Sequence, residues 1–125
     1  MELPIDVDQL RSVLRRHGVV FGLVFGSHAD GTAGPESDID VAVWSATPLD
    51  DWSLRGALPD KVDLVDLRTA PEVLAGRVAL TGVVVLDDDP VERIRWQADT
   101  RKRHLDEEFR RERFRKDFVA AHGRP

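Results

Sequence analysis

Two aspartates one residue apart, Asp38 and Asp40, stand at the start of a segment that is otherwise apolar. In a β-strand, residues i and i+2 share a face, and their Cα atoms lie roughly 7 Å apart. Carboxylates at this spacing can both reach one divalent cation, or bridge two cations about 3.5–4 Å apart. Ligation by oxygen alone suits magnesium, which keeps waters and completes its coordination with substrate phosphates. The pair therefore predicts a magnesium site.

A Gly-Ser pair, Gly26 and Ser27, ends the preceding apolar run and is separated from Asp38 by ten residues. Because glycine lacks a Cβ, the backbone can approach a phosphate closely there, with N–H groups and the serine hydroxyl as donors. Ser37, which directly precedes Asp38, is a further candidate for nucleotide binding. Phosphate donors at the end of one strand and carboxylates on the next together predict a site for a nucleoside triphosphate.

A third carboxylate could complete this site from the next strand-like segment, KVDLVDL, which contains Asp63 and Asp66. Because these two residues are three positions apart, their side chains point to opposite faces of a strand. Only one of them can therefore join Asp38 and Asp40. The residues by themselves leave both choices open.

The elements that must position these residues follow from hydrophobic periodicity and from capping and turn residues. In chain order the patterns predict a helix over residues 6–17, a buried strand over 19–25, a loop over 26–36, a strand over 38–44, a short helix capped by Thr47, a strand over 61–67, a helix over 70–80, a strand over 82–87 and a long helix from residue 90 to about 120. This order predicts one α/β (α+β) domain over residues 1–125, with a small mixed β-sheet of about four strands packed by helices.

The long C-terminal helix has two apolar faces. One stripe is predicted to lie on the sheet and comprises Val91, Ile94, Ala98, Leu105 and Phe109. The opposite side carries Trp96, Phe114 and Phe118. Because Glu112 and Lys116 interrupt the stripe, we expect the end of the helix, residues 110–125, to project as a docking tail for a different protein or for a second copy. The alternative is that the tail folds back on its own domain.

The chain has 125 residues and no cysteine, so disulfides and cysteine-ligated zinc are excluded. It shows no signal peptide, and its longest apolar run is too short to cross a bilayer, so we expect a cytoplasmic protein without membrane contact. Charge is uneven, with −9 over residues 1–100 and +4 over residues 101–125. The acidic body argues against direct nucleic-acid binding, and the basic end favours a local docking surface.

The stretch GSHADGTAGPESDID, residues 26–40, matches the G-S-x10-D-x-D signature of the DNA polymerase β-like nucleotidyltransferases. The short chain resembles their minimal, MNT-type members. The resemblance implies the nucleotidyltransferase fold and two Mg²⁺ ions held by Asp38 and Asp40. It also implies that Asp63, rather than Asp66, is the third ligand and helps to remove the acceptor's proton. Gly26 and Ser27 would hold the leaving pyrophosphate.

MNT-type proteins are often the antitoxins of HEPN-type toxins, which implies transfer of AMP from ATP to a tyrosine hydroxyl of such a partner. Two alternatives are a non-catalytic antitoxin that inhibits by binding, and a nucleotidyltransferase acting on a small molecule such as an antibiotic. The loop departs from the usual pattern, since Asp30 stands where an arginine is common. His28 is a candidate to replace that cation.

Overall fold

The computed structural model describes residues 2–122, which form five helices and four strands. In chain order these are α1 (Val7–Arg16), β1 (Phe21–Phe25), α2 (Ser27–Asp30), β2 (Ile39–Trp44), α3 (Asp51–Ala57), β3 (Val62–Asp66), α4 (Glu72–Thr81), β4 (Val83–Asp87) and α5 (Pro90–His122). All eight elements predicted from the sequence are present. The single-turn helix α2 is an addition, because this segment was predicted to be loop throughout.

The four strands form one mixed sheet in the order β3-β2-β1-β4. The central strand β1 is antiparallel to both of its neighbours, β2 and β4. The outer strand β3 runs parallel to β2. The prediction of a small mixed sheet is therefore confirmed.

Alternation along the strands gives the sheet two buried faces. Ile39, Val41 and Val43 lie on the face covered by α1 and α3, and all three are fully buried. The other face carries Phe21, Leu23 and Ala42, which pack against α4 and α5. Because a strand places alternate residues on opposite sides, Asp40 lies on the same face as Ala42. The sheet therefore presents the carboxylates on the side of α4 and α5.

Aspartate caps determine where the two helices on the first face begin. The Asp6 carboxylate accepts a hydrogen bond from the Gln9 N–H at 3.2 Å and starts α1 where the sequence predicted. In contrast, α3 begins later than predicted, because Asp50 rather than Thr47 is its N-cap. The Asp50 carboxylate accepts from the Ser53 N–H at 3.1 Å. Such caps satisfy backbone donors that the first helical turn leaves free.

An arginine from a neighbouring helix binds a backbone carbonyl on each edge strand. Arg11 of α1 donates to the carbonyl oxygen of Val85 in β4 at 2.6 Å, and Arg55 of α3 donates to that of Leu64 in β3, also at 2.6 Å. Free carbonyls on an edge strand would invite pairing with another sheet. Both edges are thus partly blocked against strand addition.

The predicted orientation of α5 is wrong. The residues it buries are Gln97, Thr100 and His104, which face α4. The stripe predicted to lie on the sheet, comprising Val91, Ile94, Ala98, Leu105 and Phe109, is exposed instead. Trp96, predicted to point away from the sheet, packs against Phe21 with ring centroids 5.6 Å apart.

Close packing and polar contacts explain this rotation. Gly76 of α4 leaves room for the ring of His104, since a Cβ at that position would overlap it. Arg101 donates to the carbonyl oxygen of Ala79 at 2.6 Å. At the start of α5, Arg93 binds Asp87 at 2.9 Å and the Gln97 side chain at 2.9 Å. Small residues on α4 and these hydrogen bonds outweigh the apolar periodicity of α5.

Beyond His104, α5 extends without burying any further residue. From Glu108 to His122, only Glu112 is even half-buried. That the end of the helix serves as a docking tail stays a prediction. Of the helices formed by residues 2–122, none is both long enough and apolar enough to cross a membrane.

Candidate active site

The site begins with two carboxylates on neighbouring strands. In the parallel pairing of β2 with β3, Asp40 stands directly opposite Asp63. Paired residues on adjacent strands lie about 5 Å apart and point to the same face. Asp38 precedes β2 by one residue and is exposed, as is Asp63, whereas Asp40 is half-buried. The register therefore brings Asp40 and Asp63 together, with Asp38 at the open end of the sheet.

The alternative carboxylate, Asp66, lies elsewhere. It pairs with Val43 at the other end of the β2–β3 ladder. Its side chain accepts a hydrogen bond from the Arg68 N–H at 2.9 Å and so stabilises the turn that follows β3. The geometry thus favours Asp63 as the neighbour of Asp40.

Gly26 brings the end of β1 against the Asp40 carboxylate. Its backbone has φ +70°, a left-handed conformation that residues with a Cβ rarely adopt. A Cβ at Gly26 would also overlap Oδ2 of Asp40. The same residue caps α2, because its carbonyl oxygen accepts from the N–H groups of Ala29 and Asp30, both at 3.1 Å. Only glycine permits this turn and the adjacent carboxylate together.

Electrostatics within the site are unfavourable when no cation is bound. Burial raises the pKa of the Asp40 carboxyl above its usual value, and the negative charges of Asp63 and Asp38 raise it further. His28 is close enough to lower the pKa of the same group. In the described part of the chain, none of the three aspartates forms an ion pair with lysine or arginine. A bound cation would therefore relieve the repulsion between these carboxylates.

Three side chains hold the second half of the loop between α2 and β2. The Ser37 hydroxyl accepts from the Gly34 N–H at 2.9 Å, and Nε2 of His28 lies 3.3 Å from the Ser37 carbonyl oxygen. Lys61 donates from Nζ to the carbonyl oxygen of Pro35 at 2.9 Å. Ser37, predicted to bind nucleotide, thus shapes this loop.

Lys61 was not recognised from the sequence. The signal that could have revealed it is its position two residues before Asp63, which places both side chains on one face of the β3 segment.

Asp30 has a structural role in the same loop. Its carboxylate accepts from the Thr32 hydroxyl at 2.6 Å and from the Thr32 N–H at 3.1 Å. These hydrogen bonds hold the pKa of Asp30 below its usual value. The extra negative charge is therefore stabilised within the loop.

The donor set suits a hard divalent cation, of which magnesium is one. It consists of carboxylate oxygens with no cysteine and faces a backbone turn suited to phosphate. Over residues 2–122, no three His, Asp or Glu side chains are arranged as a ready-made metal site. Magnesium commonly takes part of its coordination from substrate phosphates and waters and so does not need a closed protein cage.

Comparison with known proteins places this arrangement in a family. Residues 8–91, which include Gly26, Asp38, Asp40 and Asp63, match the family described as "Polymerase beta, Nucleotidyltransferase". The chain belongs to this nucleotidyltransferase family. The matched segment runs from α1 to the start of α5, so it contains the whole sheet.

Members of the nucleotidyltransferase family with similar sequence or structure include antitoxins. The protein adenylyltransferase MntA of Shewanella oneidensis is 46% identical over 66 residues, which are 47% of this chain and 48% of that relative. The match thus spans about half the length of MntA.

A chain in the crystal structure of a toxin–antitoxin with AMP-PNP is 28% identical, with a TM-score of 0.74, over 92% of this chain and 99% of that chain. A chain in the complex of tri-AMPylated Shewanella oneidensis HEPN toxin with MNT antitoxin is 25% identical, with a TM-score of 0.66, over 90% and 95% of the two chains.

Proposed function

We propose that this chain is a magnesium-dependent protein adenylyltransferase that acts in the cytoplasm as the antitoxin of a HEPN-type toxin. It transfers AMP from ATP to a tyrosine hydroxyl of that toxin. The observation that carries this proposal is the packing of Gly26 against Asp40, which in turn stands opposite Asp63. A phosphate-binding turn and a group of metal-binding carboxylates thereby meet at one point.

Two further observations support the choice of nucleotide and partner. A cavity of about 470 Å³ adjoins Ser27 and His28 and is lined also by the loop that carries Gly34. Its size is within the range of about 300–1,000 Å³ that is typical of small-molecule sites, and it lies beside the Gly26–Ser27 turn without being lined by any of the three aspartates. The similar structures described above contain an ATP analogue in one case and an AMPylated HEPN toxin in another.

Each site residue has a role in the proposed reaction. Asp38 and Asp40 would hold two Mg²⁺ ions, whose charge stabilises the transferring phosphate. Asp63 would ligate the second ion and accept the proton of the attacking hydroxyl. The hydroxyl oxygen bonds to the α-phosphorus, the bond from that phosphorus to the bridging oxygen breaks, and pyrophosphate leaves along Gly26 and Ser27.

A labelling experiment tests this proposal. The chain is mixed with the product of the neighbouring gene, which the proposal expects to be a HEPN-type toxin, together with Mg²⁺ and each of the four α-labelled nucleoside triphosphates in turn. We expect label on the toxin with ATP alone, and no label when Mg²⁺ is chelated. Asp63→Ala is expected to abolish transfer. Asp66→Ala is the matched control from the same strand and should retain it.

Other results would contradict the proposal in distinguishable ways. If an Asp38→Ala/Asp40→Ala double variant neutralises the toxin as well as the native chain, inhibition occurs by binding alone. Label on neither protein with any nucleotide leads to the same conclusion. Label only on an added small molecule, such as an aminoglycoside, would support the antibiotic-modifying alternative.

A further inference from the structure

The exposed surface of α5 carries two groups of apolar residues. We call the first group the outer stripe; it comprises Val91, Ile94, Ala98, Leu105 and Phe109. We call Phe114 and Phe118 the distal pair. Phe109 is 66% exposed, Phe114 72% and Phe118 54%. Contiguous apolar surface of this kind on a charged helix is typical of an interaction site.

The arm, residues 105–122, makes no polar contact with its own domain. Every hydrogen bond and ion pair that the structure shows for these residues joins two positions within α5, as in the pairs Lys102–Asp106 and Glu107–Arg110. In proteins, most of the stability of a helix comes from packing of an apolar face rather than from helix propensity. The apolar side chains of the arm therefore gain most from a surface outside the domain.

The two apolar groups face opposite sides of the arm. At 3.6 residues per turn, Leu105 and Phe109 are centred about 180° from Phe114 and Phe118. The distal pair continues the side on which Thr100 and His104 contact α4, but it lies beyond the end of that contact. A helix that is apolar on opposite sides is normally enclosed. The arm therefore needs a groove rather than a single flat surface.

A second copy of this chain does not meet this requirement. The outer stripe is about 27 Å long at 1.5 Å per residue. One helix packed along it would leave the distal pair in water. A stable interface usually buries about 800 Å² on each partner, which favours a contact that covers both sides of the arm. Self-pairing along one stripe thus covers one side of the arm only.

The charge pattern indicates what surrounds such a groove. Residues 106–108 are all acidic, whereas residues 110–116 contain five cations and one glutamate. Phe114 lies within the basic segment. The part of the groove that receives the distal pair is therefore expected to have an acidic rim.

We propose that α5, from Val91 to Val119, seats in a groove of the HEPN-type toxin and is the main docking element for it. This inference rests on the proposed function, because it takes its partner from there. Docking by α5 is separate from the chemistry. The helix contacts the sheet through Trp96 on Phe21, at the end of β1 opposite the Asp40 pairing. It follows the helix-in-groove mode of recognition.

Binding of a non-toxic variant of the toxin to purified variants of this chain tests this inference. One variant combines Leu105→Ala with Phe109→Ala, and another combines Phe114→Ala with Phe118→Ala. Each should weaken binding at least about tenfold. Trp52→Ala is the matched control, because Trp52 is an aromatic residue that is 87% exposed on α3. It should leave the affinity unchanged.

Transfer kinetics provide a second measurement. The docking variants should raise the KM for toxin and leave kcat at saturation unchanged, because the three aspartates are untouched. Their melting temperatures should match that of the native chain, since the replaced side chains are exposed and alanine favours the helix.

The possible results separate the two proposals. If the native chain does not bind the toxin, the proposed function itself fails. If the native chain binds and both double variants bind equally well, the docking inference alone is overturned. If the native chain is a dimer in solution and either double variant makes it monomeric, the arm is occupied by a second copy, which also overturns the inference.

Discussion

At the residue scale, the closest constraint in the site is the contact between Gly26 and the Asp40 carboxylate. The contact depends on two properties of glycine, its tolerance of φ +70° and its missing side chain. Neither the positive φ nor the missing side chain is an attractive contact made by the glycine. The residue matters because it leaves space for a neighbouring carboxylate.

Gly26→Ala is therefore expected to displace Asp40 and to strain the turn. A misplaced catalytic group can cost about 100-fold in rate, and the unfavourable φ about 1–3 kcal/mol in stability. AMP transfer to the toxin and urea unfolding measure the two effects. Gly56→Ala is the control, because it lies on α3 outside the site and no atom lies within 4 Å of a Cβ built there. Equal activity of the two variants would contradict this account.

Asp40 also carries a stability cost. Burial and the charges of Asp63 and Asp38 raise its pKa in the folded state above the unfolded value. The folded protein therefore binds more protons between these two pKa values, and its stability falls as pH rises through that window. The loss persists at neutral pH, so the Asp40 carboxylate lowers the stability of the fold when no cation is bound.

Asp40→Asn is accordingly expected to melt at a higher temperature than the native chain at pH 7, although it should be inactive. The difference should shrink as pH falls towards the ordinary pKa of aspartate. Asp30→Asn is the control of opposite sign, because hydrogen bonds from Thr32 lower the pKa of Asp30. That variant should melt lower at pH 7. Thermal melts between pH 4 and pH 8 test both, and identical curves for all three proteins would refute the assignment.

At the element scale, the rotation of α5 depends on its contact with α4. Gly76 faces the ring of His104, and Arg101 reaches the carbonyl oxygen of Ala79. Small residues on one helix permit large or polar residues on the other to be buried. Because the inner face of α5 has few apolar residues, close packing and hydrogen bonds hold it on α4 in place of a hydrophobic stripe.

Gly76→Ala should destabilise this contact, because the new methyl group would overlap the His104 ring. Overpacking of this kind typically costs about 1–3 kcal/mol. Gly56→Ala in α3 is the matched helical control. No atom lies within 4 Å of a Cβ there, and the change should stabilise by about 0.5–1 kcal/mol. Chemical denaturation of the two variants gives the comparison, and a stabilised Gly76→Ala variant would show that the contact is looser than described.

At the scale of the whole molecule, the chain divides into a compact part and an arm. The compact part contains the sheet, the carboxylates and the first half of α5. The arm adds exposed apolar side chains and no buried residue. Under the proposed function, catalysis and partner docking thus fall in different regions of one short chain.

Deleting residues 110–125 should therefore leave the melting temperature nearly unchanged. Deleting residues 100–125 should lower stability by roughly 2–5 kcal/mol, the range for losing a large buried side chain, because Thr100 and His104 are removed. Calorimetry of both truncated chains measures the difference. If the shorter deletion alone unfolds the domain, the arm has an internal role that this division does not allow.

Much of this organisation was predictable because it depends on local spacing. The alternation of Ile39, Val41 and Val43 with Asp38 and Asp40 follows from the two-residue period of a strand, whatever surrounds it. The glycine-containing turn at residue 26 is similarly local. Such features follow from backbone geometry and need no knowledge of distant residues.

Other features required contacts between distant parts of the chain. The residues alone could not choose between Asp63 and Asp66, because the choice depends on the register of β2 against β3. Likewise, the apolar period of α5 showed that it has a stripe but not which side is buried. That was decided by the space at Gly76 and the hydrogen bonds of Arg93 and Arg101. The sequence by itself thus determined which side chains share a face, whereas tertiary packing decided what each face meets.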